Sequence, residues 1–261
     1  MNHALGLAIV LVFLGDLAAK QSATPATAER SACPDDMIEV DGDYCPAVEQ
    51  YCAQYTDAKE MARDRCAEFK PTGRCFGKTM HKRFCVDRYE WPNRYAVKPD
   101  VAVTWDEAKV KCEAIGKRLC EDKEWTLACE GQERLPYPYG LSRDATACNI
   151  DKAPINPHEE DLRNFTRRDA EAKRLWQGEP SGSRDRCKSA FGVQDMTGNV
   201  DEWVINEKGK PHHSGLKGGY WSWVRGRCRP LTDGHAEDFR YYQIGFRCCS
   251  DAPAGGTSAS R

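Results

Sequence analysis

An α+β fold with little regular secondary structure and several disulfides is what this sequence predicts, on three observations. Fourteen cysteines stand among 261 residues, an even number that permits full pairing. Only a few stretches carry helix signals. The rest is punctuated by Gly, Pro, Asn and Asp between short apolar or aromatic runs, as in a loop-rich mixed fold with small strands.

Cysteine at this density belongs to an oxidising compartment rather than a reducing cytosol. The start of the chain agrees. Ala4 to Leu14 is an uninterrupted apolar run, followed by Gly15, Asp16 and the pair Ala18-Ala19, which reads as a signal peptide over residues 1–19. The run falls short of the roughly 20 apolar residues that cross a bilayer, so no transmembrane anchor is expected. A secreted, periplasmic or cell-surface location follows. Lys plus Arg (38) and Asp plus Glu (40) nearly cancel and are interleaved, so nucleic acid is not expected as a partner.

Residues 20–32 have almost no large apolar side chain and read as a flexible leader; residues 252–261 read as a disordered tail for the same reason. About 230 residues remain, enough for one large domain. Pro46 to Phe69 is rich in Ala, Glu, Gln and Lys with no internal Gly or Pro, which predicts a helix. Cys52 and Cys66 would share one face of it but lie nearly four turns apart, too far to bond one another. Cys33, Cys45, Cys75 or Cys85 would then be their partners. Thr104 to Ile115 predicts a second helix, with Thr104 as N-cap, Glu107 completing a capping box and Gly116 ending it. A third is expected over Glu121 to Cys129. Trp125, Trp203 and Trp221 supply the large buried surface that a strand-poor core needs.

Several segments, in order, resemble the formylglycine-generating, sulfatase-modifying enzyme family, whose fold is similar to that of C-type lectins. They are Met37 to Tyr44 (MIEVDGDY), Val86 to Glu90 with Asn93, and Val103 to Gly131 with its Gly-Lys-Arg-Leu turn and Glu-Trp helix. Asp195 to Val204 (DMTGNVDEWV), Leu216 to Trp221 (LKGGYW) and Gly245-Phe246-Arg247 complete the set. The resemblance implies a main domain over residues 81–251, with residues 33–80 a cysteine-rich, helix-bearing extension packed on it. It also implies two bridges, Cys112 with Cys248 or Cys249, and Cys129 with Cys228. Cys148 with Cys187 is a further expected pair. Cys248 and Cys249 point to opposite faces of a strand and should take different partners, Cys120 or Cys85 being the second. Zinc is a poor alternative, since no C-x-x-C or paired Cys-His spacing occurs.

In the aerobic enzymes of that family, two cysteines after the Gly-Gly strand bind copper, because soft thiolates select Cu(I). Here Tyr220 to Gly226 contains no cysteine. Counting from Gly219 would put Cys228 on one of the two positions, with Trp223 on the other, so the pair is broken and copper is not expected. No G-x-S-x-G elbow occurs either. Cys228 and His235 are the remaining catalytic candidates; His235 lies in RPLTDGHAEDFRYY with Asp233 and Glu237. Calcium is the cofactor that the resemblance implies, held at one site by Asp195 and Glu202 side chains with the carbonyls of Gly198 and Val200, and at a second by Asn149 and the Ile150 carbonyl. Oxygen donors in a tight turn suit a hard cation. Asp201 stands where the family has Trp.

The expected function is an exported module without the copper-binding pair, a non-catalytic binding or assembly protein stabilised by calcium and disulfides. Its partner would be a protein, peptide or glycan. The alternatives are a divergent oxidase that generates formylglycine or otherwise modifies a protein or peptide cysteine, and a carbohydrate-binding lectin-like module.

Overall fold

The structure is a computed structural model that describes residues 1, 32–56, 65–71 and 73–253. The expectations for a signal peptide, for all of the leader but Ala32, and for the tail beyond residue 253 lie outside the described residues. Along the chain run β1 (Met37–Tyr44), β2 (Ala47–Val48), β3 (Cys52–Tyr55), β4 (Cys66–Phe69), β5 (Cys75–Phe76) and β6 (Met80–Asp87). Then come α1 (Trp105–Glu113), β7 (Arg118–Leu119), α2 (Asp122–Glu130), α3 (Glu159–Arg163) and α4 (Arg168–Leu175). The chain closes with β8 (Asp201–Ile205), β9 (Ser214–Lys217), β10 (Ile244–Phe246) and β11 (Cys248–Asp251).

Two sheets organise the core. One is antiparallel in the order β1-β6-β11-β7, so the last strand is inserted between elements from the first half of the chain. The other, β10-β8-β9, pairs β10 parallel to β8 and β9 antiparallel to it. Phe84 and Trp125 pack in one core cluster and Leu119, Trp203 and Phe246 in a second, all at most 1% exposed. Asp87 ties the sheets to the closing segment: its carboxylate accepts from the Cys248 N–H (3.0 Å) and from Lys117 Nζ (2.6 Å).

Local rules account for α1. Glu107 N–H donates to Thr104 Oγ1 (3.1 Å) and Thr104 N–H to Glu107 Oε2 (2.9 Å), the reciprocal capping box. Gly116, at φ +73°, takes the left-handed turn after the helix. Helix α2, capped by Glu121 and Gly131, has both its ends within one residue of expectation. Helices α3 and α4 were not legible: α3 buries no residue and α4 buries only Glu171 and Leu175, too little apolar periodicity to read.

The helix expected over 46–69 is corrected. Its described residues form strands instead, β3 pairing with β4 and β2 with β5. Cys52 is bonded to Cys66 with Cα atoms 5.6 Å apart, a closure that a continuous helix rising about 1.5 Å per residue forbids. Burial decides against propensity here. Cys66 and Phe69 are covered by Tyr137, whose ring meets Phe69 edge-on at 5.9 Å and whose hydroxyl donates to the Cys66 carbonyl at 2.6 Å. Residues 57–64 lie outside the described set.

All fourteen cysteines are paired. The bridges are Cys33–Cys85, Cys45–Cys75, Cys52–Cys66, Cys112–Cys248, Cys120–Cys249, Cys129–Cys228 and Cys148–Cys187. Cys248 and Cys249 thus reach α1 on one face of β11 and the end of β7 on the other. Residues 33–80 share one structural unit with the rest of the described chain. Among the described residues no helix is long and apolar enough to cross a membrane.

Candidate functional site: a cleft beside the Gly-Gly turn

After β9 the chain turns at Gly218 and Gly219 (φ +84° and +72°) and loops to Gly226. A Cβ on Gly219 would stand 2.8 Å from the Gly226 Cα, so the two ends of the loop close on each other only because position 219 has no side chain. The loop is fastened from outside. Arg143 donates from Nη1 to the Arg225 carbonyl (3.0 Å) and from Nη2 to the Val224 carbonyl (2.8 Å). Asp151 holds Arg143 through its Nε (2.8 Å), and Arg65 through its Nη2 (2.8 Å). Burial pushes the Asp151 carboxyl up, but these two guanidinium groups outweigh it and hold it below its ordinary value. Trp223 Nε1 donates to the Asp151 carbonyl at 3.1 Å.

The loop walls a cleft of about 290 Å³ lined by Asp201, Gly219, Trp223, Arg225 and Thr232 among others. Burial pushes the Asp201 carboxyl up to about 7, against the pull of the Arg225 guanidinium and the Gly219 N–H. Arg225 donates from Nη2 to Thr232 Oγ1 (2.5 Å). Among the described residues no carboxylate lies within ion-pair range of it. The indole of Trp223 is 43% exposed.

Neither catalytic candidate supplies a reactive group to the cleft. Cys228 is fully buried and bonded to Cys129. The ring of His235 stacks on Phe239 with centroids 4.0 Å apart, and its pKa is lowered by burial and by His212. Its carbonyl accepts from Ser214 Oγ at 2.6 Å. Asp233 and Glu237 are partly buried, and Glu237 accepts from the His213 N–H at 2.6 Å.

The expected calcium ligands fall into a buried polar network behind the cleft. Glu202 is 1% exposed and paired with the fully buried Arg247, Nη2 to Oε1 and Nε to Oε2 both at 2.6 Å. Its Oε2 also accepts from Trp125 Nε1 at 2.6 Å. Three of the carboxylate's roughly four acceptor positions are therefore used, and a calcium ion on the remaining one would sit against a guanidinium. Glu202 does not fit the ligand role carried over from the family, so the set with Gly198 and Val200 loses its strongest donor. Asp195 accepts from the Gly182 N–H (2.6 Å), and burial pushes its carboxyl up to about 6. Glu90, held by Ser181 and by Asn199, is pushed well above its ordinary value by burial and by the charges of Asp195 and Glu202. Asn149 is different. Its Nδ2 donates to Asn199 Oδ1 (3.0 Å) and Gln177 O (3.2 Å), while its Oδ1 is buried with no hydrogen-bond partner, an oxygen donor of the kind a hard cation takes. The other compact set among the described residues, His158, Asp161 and Glu171, has its carboxylates held by Arg167 and Arg174 at 2.7 Å.

The sequence singles out Asp201 and Trp223 but gives no role to Arg225, Arg143 or Asp151. No short motif marks them, because they meet only through the fold.

Three comparisons bear on this arrangement. The structure described as CarF matches with TM-score 0.55 at 16% identity, over 84% of this chain and 98% of that one. PvdO from Pseudomonas aeruginosa matches with TM-score 0.50 at 17% identity, over 88% and 100%; at such identities both speak to the fold alone. A Bos taurus protein named inactive C-alpha-formylglycine-generating enzyme 2 is 26% identical over 179 residues, 59% of this chain and 50% of its own length. Serine/threonine-protein kinase pkn1 of Chlamydia caviae is 33% identical over 110 residues, 42% of this chain and 14% of that protein. The chain thus spans half or less of these curated relatives. The model of the sulfatase-modifying factor enzyme 1-like domain matches residues 51–252, starting within the segment read as an extension and taking in nearly all that follows. With its two sheets, its Gly-Gly turn and its cysteine frame in that order, the chain belongs to the sulfatase-modifying factor enzyme 1-like domain family.

Proposed function

We propose that the chain is an exported binding module that uses the cleft beside Gly218-Gly219 for recognition and does not oxidise cysteine. One observation carries this reading: every cysteine is spent in a disulfide, including Cys228, so no thiolate remains at the cleft to hold Cu(I). The name of the bovine relative, which calls that protein inactive, supports the same reading. Seven disulfides support folding in an oxidising compartment. The expected result is that unreduced, denatured protein shows no titratable thiol. Incubated with Cu(I) and a Cys-x-Pro-x-Arg peptide, it should yield no aldehyde by mass spectrometry. Aldehyde above a protein-free control would overturn the proposal in favour of a divergent oxidase.

A stabilising calcium ion is part of the same proposal, with the Asn149 side chain and the Ile150 carbonyl as donors and Glu202 left with Arg247. Its support is the unpartnered Asn149 Oδ1 and an inner network in which Glu90, Asp195 and Glu202 face the single guanidinium of Arg247. Calcium at about 100 times its Kd should add roughly 2.7 kcal/mol to stability, a rise of about 5–11 °C in Tm over EDTA-treated protein. Asn149→Ala should remove that rise. Equal melting with calcium and with EDTA would exclude the ion.

A further inference from the structure

We propose that the cleft takes an acidic sugar, a pyranose ring carrying a carboxylate, with Arg225 receiving the charge and Trp223 the ring face. This rests on the reading of the cleft as a recognition site.

Charge comes first. Arg225 is partly buried, lines the cleft, and has no carboxylate within ion-pair range among the described residues. Its guanidinium carries five N–H donors, of which one is used on Thr232. Asp201 feels the charge of Arg225 but lies beyond ion-pair range, so the unused donors are left for an anion that reaches them directly, and the planar fork matches a carboxylate. Because Arg143 grips the carbonyls of Val224 and Arg225 and is itself held by Asp151, the loop that presents Arg225 is set before any ligand arrives. Little ordering cost is then left for binding.

Ring and hydroxyls come second. Trp223 is 43% exposed yet fixed through Nε1, with the Arg65 guanidinium 5.8 Å from the centre of its ring, so the uncovered part of the indole is a rigid apolar surface at the cleft. The remaining lining mixes the apolar Leu216, Val224 and Pro230 with Asp201, Thr232 and the backbone of Gly219, polar groups that an aromatic or aliphatic acid would desolvate without replacing their hydrogen bonds. Sugar hydroxyls can replace them.

An acidic peptide is the competing occupant, and the edge of the sheet argues against it. An extended peptide gains affinity by pairing with a free strand edge. Here the outer edge of β9 is already paired, Leu216 N–H to Thr232 O at 2.9 Å and Thr232 N–H to Leu216 O at 3.0 Å. The volume of about 290 Å³ also lies at the small end of ligand pockets, room for one ring rather than a chain.

The test uses the disulfide-intact protein with a panel of uronate- and sialate-terminated glycans, their neutral counterparts and a Glu-rich peptide, followed by Trp fluorescence and saturation-transfer NMR. At least one acidic glycan is expected to bind saturably, its neutral counterpart at least tenfold more weakly, and Arg225→Gln and Trp223→Ala each to lose at least tenfold. Both variants should keep the native far-UV spectrum and the absence of free thiols. A neutral glycan binding equally well, or Arg225→Gln binding as wild type, would overturn the role of charge while leaving a recognition cleft. Peptide binding with a blank glycan panel would overturn the sugar and keep the cleft. No response from any ligand would remove both.

Discussion

Replacing Arg247 by methionine is expected to cost about 3–5 kcal/mol of folding stability, because it strips the partner from a fully buried carboxylate. Glu202 would keep only the Trp125 N–H, in a region where Glu90 and Asp195 already crowd negative charge. Arg247 does more than neutralise: its Nη1 donates to the Asp87 carbonyl (3.2 Å) and its Nη2 to the Gln194 carbonyl (2.9 Å), so two backbone acceptors also go unsatisfied. For a domain with 5–15 kcal/mol in hand, such a loss takes a large share. Denaturant titration at pH 7 should show a lower midpoint with little change in slope. The double variant Arg247→Met with Glu202→Gln should recover part of the loss, since the uncompensated charge is gone. A single-variant cost below about 1 kcal/mol would show that water or a cation reaches Glu202 and that the pair is not sealed.

The second large effect concerns the two bridges on β11. Cys112–Cys248 and Cys120–Cys249 close loops with sequence separations of 136 and 129, yet they end on adjacent residues. With one intact, the other closes only a short extra turn between Cys112 and Cys120. Removing either pair by Cys→Ala substitution should therefore cost about 2–3 kcal/mol, whereas removing both releases the long loop and should cost about 4–5 kcal/mol more. The doubly stripped protein is expected to be largely unfolded at 37 °C by circular dichroism, while each singly stripped protein melts cooperatively. Equal and additive losses for the two pairs would show that local packing of the sulfurs, not loop closure, sets their contribution.

Features that depend on a few neighbouring residues were legible before any fold was known. Thr104 and Glu107 cap α1 because both partners lie within one turn, and Gly116 stops it because only glycine takes that turn freely. The ordered segments also placed the chain in its family, since each is a short run whose spacing survives in sequence. The stretch from Pro46 to Phe69 shows the limit. Its composition favours a helix by a few tenths of a kcal/mol per residue, and that preference loses to a disulfide and to burial of Phe69 against Tyr137, a residue far along the chain.

Sequence by itself determined that this protein is disulfide-rich, charge-balanced and built on the sulfatase-modifying factor enzyme 1-like frame, because cysteine number, composition and motif order are properties of the chain. Tertiary structure alone decided that Glu202 belongs to Arg247 and that Asp201, Trp223 and Arg225 share a cleft. Those outcomes turn on which groups meet after folding, and on the desolvation that makes a buried charge take its nearest partner.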